Sequence, residues 1–123
     1  MPLAQHITEV FGWVPFILKT EVLDFADGER PAPFETRQQL LEDLEKNYAA
    51  SVEVLNGVTE AALEPNWALA YKGQKLAEWT KYGAIRHSLN QVTHHRAQLG
   101  VYYRLNDIKV PGSYGPSADE QSF

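Results

Sequence analysis

The sequence predicts a mainly α-helical single domain over residues 1–123: a helical bundle with a small β-hairpin before its last long helix and an extended C-terminal tail. Three observations carry that expectation. Apolar residues recur every three or four positions through three long stretches, which is the period of a helix with one buried face. Aromatic residues flank a two-residue turn containing Gly at one place only, as in a short hairpin. The chain from Ile108 onward holds Pro111-Gly112 and Gly115-Pro116, which break regular structure.

The first helix is expected from about 3 to 19, opening near Pro2, a residue suited to a first turn. Leu3, Ile7, Val10, Val14 and Ile17 form its apolar stripe. Pro15 lies inside it and offers no N–H to the carbonyl of Phe11, so a kink near Phe11–Pro15 is expected, or else a helix ending near Phe11. Asp24–Phe34, with its acidic residues, Gly and two prolines, reads as a loop. Thr36 followed by Gln39 is a capping-box pattern. It starts a second helix, about 37 to 56, whose apolar stripe is Leu41, Leu44, Tyr48, Val52 and Leu55 and which Asn56-Gly57 closes. Thr59 caps a short turn over Glu60–Leu63, stopped by Pro65. Trp67–Tyr71 and Gln74–Trp79 around Lys72-Gly73 form the hairpin. From about Thr80 to Leu105 there is no proline, and Ile85, Leu89, Val92, Leu99 and Tyr102 or Tyr103 keep helical spacing, ending at Asn106-Asp107. The tail, with Tyr114 and Phe123, is expected to lie on the surface or on a partner.

The chain has 123 residues, no Cys and a net charge of −5. A domain of this length buries roughly two thirds of the surface of its unfolded chain, enough for a core without disulfides or structural metal. The absence of Cys excludes thiolate zinc sites, iron–sulfur clusters and Cys nucleophiles, so a metal would rest on His, carboxylates or amides. Residues 1–66 hold four Lys/Arg against twelve Asp/Glu, and residues 67–123 hold seven against four. Such a chain has no phosphate-tracking surface, so no nucleic acid is expected as a partner. The asymmetry points to the two halves packing together, with anion binding near Arg86, Arg96 and Arg104 as the alternative. The N-terminal stretch has no Lys or Arg before Lys19, carries His6 and Glu9, and is not followed by a small-residue cleavage site. No apolar run reaches the roughly 18 to 20 residues that cross a bilayer, so a cytoplasmic protein without membrane partners is expected.

All four histidines, His6, His87, His94 and His95, fall on the first and last long helices. His87, Gln91 and His95 form one row at helical spacing, with His94 about 100° away from His95. His95 sits between Val92 and Leu99 on the core-facing stripe, where a ring must find a partner. It is either a hydrogen-bonded buried histidine or a metal ligand. His6, beside the stripe of the first helix, reaches the same depth if the two helices run antiparallel, as in bundles with inward-facing metal sites.

The segments Leu3–Glu9, Gly12-Trp13, Leu89–Gln98 and Tyr114–Asp119 resemble the DinB-like (damage-inducible) proteins, and the resemblance runs over essentially the whole chain. Its most specific part is Asn90-x-x-x-x-His95-Arg96-x-Gln98. The resemblance implies a metal-binding four-helix bundle, often dimeric, with thiol-dependent transferases, isomerases and metal-dependent hydrolases among its relatives. It also implies a site with one His on an early helix and a His-x-x-x-His pair on the last long one. His6 matches the first ligand and His95 the third. Gln91 stands at the second, where its amide oxygen is a weaker ligand than imidazole, so binding of zinc or nickel is expected to be weakened. His87 is the substitute in the same row, about 80° from His95 around the helix.

In the family a further helix precedes the segment that here begins at Met1. The expectation is a shortened version whose groove, along the first and last long helices, is filled by another subunit, giving a homodimer. Two functional readings follow. In the first, a metal held by His6, His95 and Gln91 activates a water or a thiolate, with Arg96 either holding an anionic substrate group or paired to the acidic half of the chain. In the second, the site has decayed through Gln91 and the bundle binds a small molecule or a protein without catalysis. The tail from Ile108 is expected to serve assembly if it serves a function of its own.

Overall fold

A computed structural model describes residues 2–28 and 31–121. Helix α1 (Pro2–Lys19) forms the centre, flanked by α2 (Arg37–Gly57) on one side and α4 (Lys81–Leu105) on the other. The two flanking helices barely touch each other. Val10, Val14 and Ile17 of the α1 stripe are fully buried, while Leu3 and Ile7 are half-buried. The core is completed by Trp67, Ala84 and Ile85.

α1 continues through Pro15 rather than ending near Phe11. The carbonyl that Pro15 leaves without its helical donor is that of Phe11, and the buried Ser51 hydroxyl of α2 donates to it. Other α1 carbonyls also receive side-chain donors from its neighbours. Ser88 Oγ donates to Val10 O at 2.9 Å, Asn47 Nδ2 to Thr8 O at 3.1 Å and Lys81 Nζ to Leu18 O at 2.7 Å. Gly12 permits the close approach of α2, since a Cβ there would meet Asn47 Oδ1 at 3.2 Å.

α2 opens with the expected capping box: Thr36 Oγ1 accepts from Gln39 N–H, and the Gln39 side chain accepts from Thr36 N–H. Its buried face differs from the expected one. Asp43, Leu44, Asn47, Ser51 and Val54 are the less exposed positions, while Leu41, Tyr48, Val52 and Leu55 lie on the surface. The polar face wins because α1 offers backbone carbonyls and the Thr8 hydroxyl to Asp43, Asn47 and Ser51. Exposed apolar side chains therefore lie on α2, and also on the first and last long helices, at Phe16, Tyr82, Val101, Tyr102 and Leu105. The short helix α3 (Glu60–Leu63) is capped by Thr59 as expected.

The hairpin is β2 (Asn66–Tyr71) and β3 (Gln74–Thr80), turning at Lys72 and Gly73, whose φ values of 50° and 76° suit such a tight turn. The expected loop begins one residue late: β1 (Val22–Asp24) pairs parallel to β2, giving the sheet order β1-β2-β3. Three residues carry no readable period. What fixes β1 is Asp24, whose carboxylate accepts N–H bonds from Ala26, Lys72 and Gly73. Those amides hold its pKa below the ordinary carboxylate value, the Ala26 bond foremost. Trp67 is buried, with its indole N–H donating to Thr20 Oγ1 at 3.1 Å.

α4 starts at the Thr80 cap and ends where Asn106 bonds back to Tyr103 O and Arg104 O. The tail has no regular structure but folds on itself around Ser117, and Asp119 pairs with Arg104 at 2.6 Å. Among the described residues no ion pair joins the acidic first half to the basic second half. The halves meet through apolar burial, side-chain hydrogen bonds and the backbone pairing of β1 with β2. Phe123 lies outside the described residues.

Candidate functional site

His6 is on the second turn of α1, next to the buried stripe, and the antiparallel α4 brings Gln91 and His95 alongside it. His6 Nε2 lies 3.3 Å from Gln91 Oε1, a long contact for a hydrogen bond. The His6 and His95 ring centroids are 4.8 Å apart and nearly perpendicular, at 72°. All three side chains belong to half-buried residues, so polar groups here are neither fully hydrated nor sealed away.

The outer nitrogens of both rings face acceptors. His95 Nδ1 lies 2.8 Å from Gln98 Oε1, and His6 Nδ1 lies 3.7 Å from Glu9 Oε2. A neutral ring that donates through Nδ1 keeps its lone pair on Nε2. Glu9 is itself held by Gln5, whose Nε2 donates to Glu9 Oε1 at 2.9 Å. Trp13 closes one side, its ring 6.2 Å from that of His6.

The remaining candidates separate from this group. His87 stacks on Trp79 of β3, with ring centroids 4.9 Å apart and planes 23° apart, and does not lean in beside Gln91. The hairpin, packed over the start of α4, captures that ring before the helix rises to His95. His94 is exposed and touches His95 edge-on at 5.0 Å. Arg96 lines an open groove with Thr93, Arg104 and Tyr114, whose lining includes none of His6, Gln91 and His95. Among the described residues no ion pair joins Arg96 to the acidic half.

Sequence reasoning passes over Glu9 and Gln5. Spacing alone makes both visible, since Glu9 is three residues after His6 and Gln5 four before Glu9, each a neighbouring position on a helix. Among the described residues no three His, Cys, Asp or Glu side chains gather as a metal-binding group. The cluster is two imidazoles and one amide. A search of family models, curated proteins and solved structures finds no match to this chain.

Proposed function

We propose that the chain is a DinB-like helical-bundle protein that holds a divalent transition metal, zinc or nickel, between His6 and His95, with Gln91 as a weak third donor, and uses it in hydrolysis or thiol-dependent transfer. The observation that carries this reading is the meeting of His6, Gln91 and His95 from two helices at 3.3 Å and 4.8 Å. The donor set fits in type. Catalytic zinc sites commonly use three protein ligands and keep one position for water or substrate. Such an ion lowers the pKa of a bound water or thiol and polarises a carbonyl.

The chain's own residues supply orientation. Gln98 and Glu9 face the outer nitrogens of His95 and His6, favouring the tautomer that presents Nε2. Because all three donors are neutral, nothing in the set offsets the charge of the ion, so affinity is modest and the bound water is more acidic than beside a carboxylate ligand. Trp13 keeps one flank apolar and strengthens the electrostatics within.

The second reading, a bundle without catalysis that binds a small molecule or protein, is favoured by the amide at position 91 and, among the described residues, by the lack of three His, Cys, Asp or Glu side chains gathered as a metal-binding group. Metal analysis of untagged protein separates the two. Occupancy rising toward one ion per chain on incubation with zinc or nickel supports the first. Less than about a tenth of an ion per chain under excess metal removes it and leaves the second.

The surface formed by Leu41, Tyr48, Val52 and Leu55 is read as the seat of a second copy of the chain. Contiguous apolar faces of this kind are uncommon on monomers.

A further inference from the structure

The tail lies along α4, and residues 93–104 of the helix with residues 110–114 of the tail line an open groove of about 410 Å³. Every residue of both walls is described. That volume suits a small organic ligand. The groove is on the side of α4 turned away from the histidine cluster, since Ala97, Gly100 and Arg104 lie about 140–200° around the helix from His95. Its tail wall is fixed rather than loosely laid. Val110 N–H donates to Asp119 Oδ2 at 2.8 Å, Ser117 Oγ donates to Val110 O at 2.6 Å, and the same Asp119 pairs with Arg104 at 2.6 Å.

Two guanidinium groups reach this groove, Arg96 and Arg104, and between them Ala97, Gly100, Val101 and Val110 are apolar. The two arginines differ in availability. Arg104 is spent on Asp119. Arg96 is exposed and, among the described residues, has no ion-pair partner. Tyr114 stands at the same groove with its ring 92% exposed, an aromatic surface that nothing in the tail covers. A guanidinium presents its donors as a planar fork that matches a carboxylate, and an apolar wall beside it reduces the competition from water.

We propose that this groove binds a small organic anion: a carboxylate, held by Arg96, on an apolar body that rests against Val101, Val110 and Tyr114. Cations of the same shape bind more weakly, because Arg96 repels the head group. Since Arg96 is exposed, its charge changes affinity severalfold rather than by orders of magnitude. The groove includes none of His6, Gln91 and His95, so it does not depend on the metal reading and is tested without metal.

The full chain, stripped of metal with a chelator that is then dialysed away, is titrated calorimetrically with 4-phenylbutyrate and with 4-phenylbutylamine. The two probes share a shape and differ in the sign of the head group. The expected result is binding of the carboxylate at least about tenfold tighter than the amine, and a loss of at least about threefold for the carboxylate in Arg96→Gln. In Arg96→Glu the preference for the carboxylate disappears, so that the amine binds equally or more tightly. Circular dichroism checks that each variant folds, and if one does not, the other decides. A preference for the carboxylate below about tenfold in the parent chain, no carboxylate binding at about 10 mM, a smaller loss in folded Arg96→Gln, or a preference that survives in folded Arg96→Glu overturns the proposal. So does inorganic phosphate that binds as tightly as 4-phenylbutyrate, since the apolar walls would then contribute nothing.

Discussion

The bond from Ser51 to the Phe11 carbonyl lets α1 run unbroken through Pro15, and its removal has a calculable cost. Ser51 is 3% exposed, so in Ser51→Ala no water replaces the hydroxyl and the Phe11 carbonyl keeps neither helical nor side-chain donor. Leaving one buried acceptor unpaired costs about 1–3 kcal/mol. Alanine's better helix propensity at a position inside α2 returns about 0.5 kcal/mol. The net expectation is about 1–2 kcal/mol, or a melting temperature lower by about 4–8 °C for a domain of this size. Urea unfolding followed by circular dichroism measures it, and a double-mutant cycle isolates the cause. In a Pro15→Ala background the residue at 15 regains its N–H and can satisfy Phe11, so Ser51→Ala then costs only a few tenths of a kcal/mol, roughly. If Ser51→Ala costs the same in both backgrounds to within about 0.3 kcal/mol, the hydroxyl is not compensating for the proline and the account is wrong.

Gln91→His exchanges an amide oxygen for an imidazole between His6 and His95, and zinc affinity by titration calorimetry is expected to rise at least about tenfold; no change means that the two histidines do not converge on one ion. Asp24 has a folded-state pKa below its unfolded value, so it adds stability above the ordinary carboxylate pKa that is lost as pH falls through the lowered value. Urea midpoints from about pH 6 to about pH 2 should therefore drop less in Asp24→Asn than in the parent chain, and equal slopes would refute the role given to its amide contacts. Val52→Glu puts a charge in the middle of the apolar face of α2, and light scattering should show a dimeric parent and a single chain of 13.9 kDa in the variant; a monomeric parent would remove the second copy from that face.

The cluster of His6, Gln91 and His95 is partly legible in the sequence. His87, Gln91 and His95 share a row by helix geometry alone, and His6 lies beside an apolar stripe. Which of the row's members meets His6 is not legible there, because it depends on the height at which α4 passes α1. The hairpin settles that His87 goes to Trp79, and Gln91 and His95 are left facing His6. The helical spacing of Gln5, His6 and Glu9 is legible in the sequence, but what it serves is not. On a helix face of mixed character a carboxylate reads as solvated until the loop carrying Pro31 and Pro33 is laid over it.

By itself the sequence determined the features whose physics is complete within a few residues. Thr36 with Gln39, Thr59 and Thr80 set helix starts through their own side-chain bonds, Lys72-Gly73 sets the hairpin turn, and the spacing of Val10, Val14 and Ile17 sets the buried face of α1. Tertiary structure decided which of two possible faces of α2 is buried, the pairing of β1 with β2, and the joining of His6 to His95. These rest on partners distant in the chain. On α2 the hydrogen-bonding demand of α1 carbonyls outweighed the apolar stripe, because a buried acceptor without a donor costs more than a leucine left on the surface.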